Sequence, residues 1–456
     1  MRILITGATG LIGRELGKVL AEKGHDLYVV SRDQAKAREQ LPFPCEIIEG
    51  DLNTNPLHDS RMAKIEVVYN LMGESIAGER WTEEKKKRIY QSRVIGTRHL
   101  VQSLPEGLKC FISSSAMGLY GDQQDTSLTE DSTHGDDFLA NLCKEWEAEA
   151  AKAPGRSVFV RTGIVLARQG GALDQMLFPF RSGVGGILGD GKQWMSWIHL
   201  KDIIGLYVFA LEHHDVEGAL NAGAPHPVTN REFSETLVQA LGTRLGPAVP
   251  LFALNVLFGE LAKSLVASVR MLPEKAQALG YKFHYENLLE ALNEICLPFK
   301  MGEEIFVAEQ FVPAPPEKLF HFFKDAHNLE RITPPTLNFL IEKMSTPEMG
   351  QGTLIDYKLK IHGVPAKWKT EIDEWQPPFK FVDNQLKGPY RLWHHTHEFR
   401  PFCGGTLLVD RVRYRMPMGF LGWLVSNRFV RKDVESIFAF RRRYIANMGT
   451  LPTKTD

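Results

Sequence analysis

Three glycines spaced three residues apart, Gly7, Gly10 and Gly13, follow a short apolar run and open an amphipathic pattern. That spacing has a definite chemistry. Gly7 permits a tight turn, Gly10 lets backbone approach a pyrophosphate, and Gly13 lets a helix pack closely on a strand. Thr9, Leu11 and Ile12 complete the turn, and the free N–H groups of the helix start face the phosphates. The segment Thr6 to Gly13 therefore predicts a dinucleotide site.

The next strand selects the dinucleotide. Sites for NAD usually place an acid at its end, against the ribose hydroxyls. Here Leu27-Tyr28-Val29-Val30 runs into Ser31-Arg32. A hydroxyl and a guanidinium suit a 2′-phosphate, so NADP(H) is expected over NAD, with Asp33 arguing the other way. Asp51-Leu52, after the third apolar run, falls beside the adenine. Asn70-Leu71-Met72-Gly73, after the fourth, passes the ribose and phosphate side. In the last third of the chain, His394-His395-Thr396-His397 holds metal-binding residue types. On a strand His395 and His397 share a face and His394 points away. No partner carboxylate or cysteine is obvious, so no metal is expected.

These residues need elements to hold them. Strand candidates Arg2–Thr6, Asp26–Ser31, Glu46–Glu49, Val67–Leu71, Cys110–Ser114 and Ser157–Thr162 alternate with helical patterns such as Gly10–Lys23 and Lys85–Leu104. Such alternation means a doubly wound parallel α/β sheet, a Rossmann domain over 1–240. A mostly helical cap follows over 241–300. From 303 to 450 the style changes to a short helix at Pro316–Lys324, strand-like runs from Ile305 to Tyr414, and a long helix at Phe420–Ile445. That is an α+β domain. The 456 residues carry a net charge of −1, so no basic field invites nucleic acid. Five scattered cysteines without a CxxC pair, no signal peptide and no uniformly apolar stretch of membrane length predict a soluble, cytoplasmic chain without a transmembrane segment. Nothing in the sequence specifies an oligomer.

The motifs together resemble the extended (atypical) short-chain dehydrogenase/reductase family, in its nucleoside-diphosphate-sugar epimerase-like branch, over residues 1–296. They are Thr6–Gly13, Asn70–Gly73, Arg80-Trp81-Thr82, Ser92-Arg93-Val94, Ser113-Ser114-Ser115-Ala116 with Tyr120-Gly121, Arg161-Thr162-Gly163 and Gln193 to His199. The resemblance implies that Ser115 holds the substrate oxygen, that Lys144 is the lysine of the Tyr-x-x-x-Lys motif, and that Arg93, Lys144 and Arg161 border the cofactor. Ala140 stands where that motif has its tyrosine, and Arg93 falls near the assisting asparagine of many relatives. Three readings stay open. Tyr120, Glu145 or a substrate-bound water replaces the tyrosine; Lys144 itself is the acid/base; or the domain binds NADP(H) and turns over poorly or not at all. The first two make the chain an oxidoreductase or epimerase of a small substrate, the third a sensor. Residues 303–446 resemble the START-like, polyketide-cyclase-like helix-grip superfamily, through Val312 to Phe320, Asn328 to Pro335 and the long last helix. That resemblance implies an apolar ligand in a cavity.

Overall fold

A computed structural model describes residues 1–448; the expected end of the last domain, at 450, lies outside them. The chain divides into two compact units, one of residues 1–34 and 45–297, the other of residues 35–44 and 298 onward.

The first unit is built on a parallel sheet of seven strands. They are β1 (Arg2–Thr6), β2 (Asp26–Ser31), β3 (Glu46–Glu49), β4 (Val67–Asn70), β5 (Cys110–Ala116), β6 (Arg156–Thr162) and β7 (Gly218–Ala222). Spatial order is β3-β2-β1-β4-β5-β6-β7. Runs such as Ile3-Leu4-Ile5 and Val67-Val68-Tyr69 are apolar throughout because both faces of the sheet are covered. The order reverses direction between β1 and β4, which opens a crevice at the carboxyl ends of those strands. The strand β7 is absent from the sequence reading because Gly218, Asn221 and the alanines around them have poor strand propensity.

One buried amide ties the crevice together. Asn70 ends β4 and is fully buried. Its Oδ1 accepts from Thr6 Oγ1 at 2.8 Å, while its Nδ2 donates to Thr97 Oγ1 at 2.8 Å and Ser113 Oγ at 3.2 Å. Thr6 Oγ1 also accepts from the Leu71 amide at 3.1 Å, and Thr97 Oγ1 from Trp146 Nε1 at 3.0 Å. The single helix expected over Lys85–Leu104 is three pieces: α2 (Glu83–Tyr90), a π-turn at Gln91–Ile95, and α3 (Gly96–Gln102). Thr82 caps α2 by accepting from the Lys85 amide. The π-turn is a local insertion of the kind found at functional sites.

The second unit is an antiparallel sheet of seven strands around a long helix. Its strands are β8 (Glu304–Val312), β9 (Leu340–Met344), β10 (Leu354–Ile361), β11 (Val364–Gln376), β12 (Lys380–Lys387), β13 (Leu392–Phe402) and β14 (Gly405–Arg415). Spatial order is β8-β14-β13-β12-β11-β10-β9, so each strand from β9 to β14 pairs with its sequence neighbour and β8 closes on β14. The last helix, Gly419–Met448, lays Trp423, Val434 and Phe438 against Ala308, Val412 and Tyr414 of the sheet. This is the expected helix-grip arrangement. Among the described residues no helix is long and apolar enough to cross a membrane.

Replacing Asn70 by Leu keeps the branched shape of the side chain and strips the hydroxyls of Thr6, Thr97 and Ser113 of a partner. It should lower the unfolding free energy by about 1–3 kcal/mol, read as a shift of the urea midpoint without a change of slope.

Candidate functional site

Sterics make the first turn. Gly7 has φ +67°, and a Cβ there would lie 2.5 Å from the Leu71 carbonyl oxygen. At Gly13 a Cβ would meet the Gly7 carbonyl oxygen at 2.5 Å and Ala8 Cα at 2.6 Å. Neither position admits a side chain. Gly10 differs: it is exposed, and a Cβ there would meet only the Gly7 carbonyl oxygen, at 3.2 Å. It begins helix α1 (Leu11–Glu22) with no side-chain cap, so no side chain occupies the N–H groups of the first turn. Thr9 is exposed beside it, and Leu11 and Ile12 are half-buried. An uncapped helix start with a glycine-lined approach fits a pyrophosphate.

The other expected residues divide into two groups. Ser31 ends β2 and folds its hydroxyl back onto Asp33, accepting from the Asp33 amide at 3.2 Å and donating to its carbonyl at 3.0 Å. The guanidinium of Arg32 is exposed and has no carboxylate partner among the described residues. Asp51 is half-buried and accepts from the Asn53 amide. Leu71 and Met72 are half-buried and Gly73 is exposed after β4. Arg93, carried by the π-turn, lies against Gly73 and donates to the Glu74 carbonyl oxygen at 2.9 Å. It also stacks over the Trp146 ring at 5.3 Å. Burial lowers its pKa, and no carboxylate pairs with it among the described residues. A desolvated cation without a counter-ion, beside the crevice, suits an anion.

Four residues expected at the site lie behind it instead. Leu52 packs into the core beneath the sheet, and Asn70 is the clamp already described. Tyr120 is fully buried, and its hydroxyl donates to Asn221 Oδ1 at 2.6 Å and lies 3.0 Å from the Thr129 carbonyl. Burial raises its pKa, and no free surface remains for it to meet a substrate. Arg161 is buried in a two-pronged pair with Glu147, both N···O distances being 3.0 Å. It also donates to the Tyr120 hydroxyl and to the Glu130 carbonyl.

That pair also decides the state of Ser115. Its Oγ donates to Glu147 Oε1 at 2.6 Å, and the residue is buried. Lys144 and Ala140 lie one turn apart on helix α4 (Phe138–Ala150). Lys144 is half-buried and its Nζ donates to the Gly135 carbonyl at 2.8 Å. Ala140 is fully buried, so the helix position that would carry the tyrosine is closed. Ser115 and Lys144 thus belong to different hydrogen-bond groups. The role of Glu147 depends on the register that brings β5 and β6 together.

In the second unit a cavity of about 460 Å³ opens between the sheet and the last helix. Tyr357, Trp368, Phe381 and Trp393 form apolar wall, and Asp383, His395, His397 and Arg441 form one polar side. The carboxylates missing beside the histidines in sequence arrive across strands. Asp383 on β12 stands opposite His395, and Asp410 on β14 opposite His397. His397 Nε2 lies 3.0 Å from Asp383 Oδ2, and His395 Nε2 lies 3.0 Å from Asp410 Oδ1. Arg441 Nη1 donates to Asp410 Oδ1 at 2.9 Å. Burial works to raise the Asp410 pKa, but Arg441 and the imidazoles outweigh it and hold the carboxyl well below its usual range.

The chain was compared with known proteins. Residues 3–223 match the NAD dependent epimerase/dehydratase family, 249–295 a domain of unknown function (DUF1731), and 312–438 the family described as polyketide cyclase / dehydrase and lipid transport. The epimerase family protein YfhF of Bacillus subtilis is 36% identical over 302 residues, which are 65% of this chain and 98% of that protein. The human epimerase family protein SDR39U1 is 37% identical over 305 residues, 65% of this chain and 99% of that protein. A crystal structure of human SDR39U1 (isoform 2) with NADPH superposes with a TM-score of 0.58 at 36% identity, covering 65% of this chain and 99% of that one. With an NAD(P)-binding Rossmann unit and a second unit of the polyketide-cyclase type, this chain belongs to the NAD-dependent epimerase/dehydratase family, among the epimerase family proteins related to SDR39U1.

Proposed function

We propose that this chain binds NADP(H) in the crevice of its first unit and holds it without the Ser–Tyr–Lys proton relay of the short-chain dehydrogenases. When bound, a nicotinamide supplies or accepts hydride. The chain's own residues divide the rest. Gly7, Gly10 and the start of α1 receive the pyrophosphate, Arg32 pairs with the 2′-phosphate, and Arg93 neutralises an anionic group of cofactor or substrate. The observation that carries the reading is the pairing of Ser115 Oγ with Glu147 at 2.6 Å, beside a buried Ala140 in place of the tyrosine. A serine that donates to a half-buried carboxylate has no proton left for a substrate oxygen. The NADPH bound by the human relative supports the choice of dinucleotide.

In this reading residues 241–300 extend the Rossmann domain, and 303–450 form a separate domain for an apolar ligand. The chain then reports dinucleotide state rather than turning over a sugar nucleotide. Epimerase or oxidoreductase activity on a small substrate would draw its proton from half-buried Lys144, from exposed Glu145, which accepts from the Tyr90 hydroxyl at 2.6 Å, or from a substrate-bound water.

Arg32→Ala should weaken NADPH binding about 10-fold or more, the loss of one charge-assisted contact, and leave NADH nearly unchanged in a fluorescence titration. Equal losses would overturn the 2′-phosphate role. The intact chain saturated with NADPH should show no turnover across a panel of carbonyl compounds and nucleoside-diphosphate sugars. Steady turnover that disappears in Lys144→Met would replace this reading by the enzymatic one. Glu147→Leu should cost about 3–5 kcal/mol in urea unfolding, because it strands Arg161. Ser115→Ala should cost only about 1 kcal/mol.

A further inference from the structure

The polar side of the cavity in the second unit has the composition and spacing of a cation site. Among the described residues, Asp383, His395 and His397 are the one group of three such side chains whose ligand atoms lie within 4.8 Å of one another. Asp383 Oδ2 is 3.4 Å from His395 Nδ1 and 3.0 Å from His397 Nε2. Two donors bound to one zinc-sized ion at its usual bond lengths stand about 3.3 Å apart. The two separations bracket that distance. The far nitrogens of both rings turn to one carboxylate. His395 Nε2 is hydrogen-bonded to Asp410 Oδ1, and His397 Nδ1 lies 2.9 Å from the same oxygen, off the angle of a hydrogen bond. A carboxylate behind metal-binding imidazoles fixes the ring tautomers and raises their basicity. Arg441 holds Asp410 in place.

The charges point the same way. The cluster holds two carboxylates, Asp383 and Asp410, and one guanidinium, Arg441, which pairs with Asp410; both histidines are buried. With neutral imidazoles the cluster carries a net negative charge in an apolar surround, which one bound cation compensates. The chain therefore gains by taking up either a proton or a metal ion, and three donor atoms within 4.8 Å of one another suit the metal.

We propose that Asp383, His395 and His397 bind a divalent first-row transition cation of the zinc type, with Asp410 hydrogen-bonded to His395 and close behind His397. Two imidazoles and one carboxylate leave a coordination position free. All three side chains line the cavity, so that position is available to an oxygen donor within it. The site stands apart from the dinucleotide reading of the first unit and needs no apolar ligand.

The test uses the full chain, stripped with a chelator and titrated with Co²⁺ alone. One equivalent should give the intense visible ligand-field bands of a low-coordinate nitrogen–oxygen site, and Zn²⁺ should displace it. Asp383→Asn and His395→Ala should abolish those bands. Asp410→Asn should weaken Co²⁺ binding about 10- to 100-fold while keeping the spectrum. Near-UV circular dichroism checks that each variant is folded. The wild-type spectrum is decisive even if a variant unfolds: only the weak spectrum of aqueous Co²⁺ would overturn the site. Equal binding by wild type and a folded Asp383→Asn chain would overturn it too.

Discussion

The crevice of the first unit depends on a buried amide that has no contact with solvent. Asn70 joins β1 through Thr6, β5 through Ser113, and α3 through Thr97, which in turn holds Trp146 of α4. Inside a low-dielectric core each of these bonds is costly to lose, so the strand ends and the helix starts above them move as one body. Gly7 and Gly13 approach their neighbours so closely because they carry no Cβ. The pocket is set by backbone sterics and by a polar knot beneath it, more than by side chains on its surface.

The same principle governs the hydroxyls around Glu147. Glu147 receives Ser115, while Arg161 grips both its oxygens and reaches Tyr120. In a conventional relay the serine faces the substrate and a tyrosine stands near it. Here the hydroxyls are drawn inward to satisfy a buried ion pair. Breaking such a pair from one side is strongly destabilising, so these residues hold the fold.

Legibility in the sequence followed the range of the forces. The glycine turn was readable because its constraint acts within seven residues, and the parallel sheet because alternation of apolar runs is a local signal. The π-turn was not: Lys85 to Leu104 has helical composition throughout, and nothing local marks where one residue is inserted. Tyr120 beside the serine run looked catalytic because sequence cannot show that Asn221, far along the chain, would accept its proton. The roles of Glu147, Asp383 and Asp410 were equally invisible. Each depends on which strands become neighbours, and a carboxylate twelve residues from its histidine carries no period to detect.

Register in the second sheet has one more consequence. Side chains alternate along β13, so His395 and His397 face inward while His394 faces the other way. Slipping β13 by one residue against β12 and β14 would move both histidines to the outer face and strand Asp383, Asp410 and Arg441 inside without them. An apolar strand tolerates such a slip with modest loss; this one does not. Correct register is thus favoured by the His–Asp contacts, since a misaligned pairing leaves Asp383 and Asp410 without their imidazole partners.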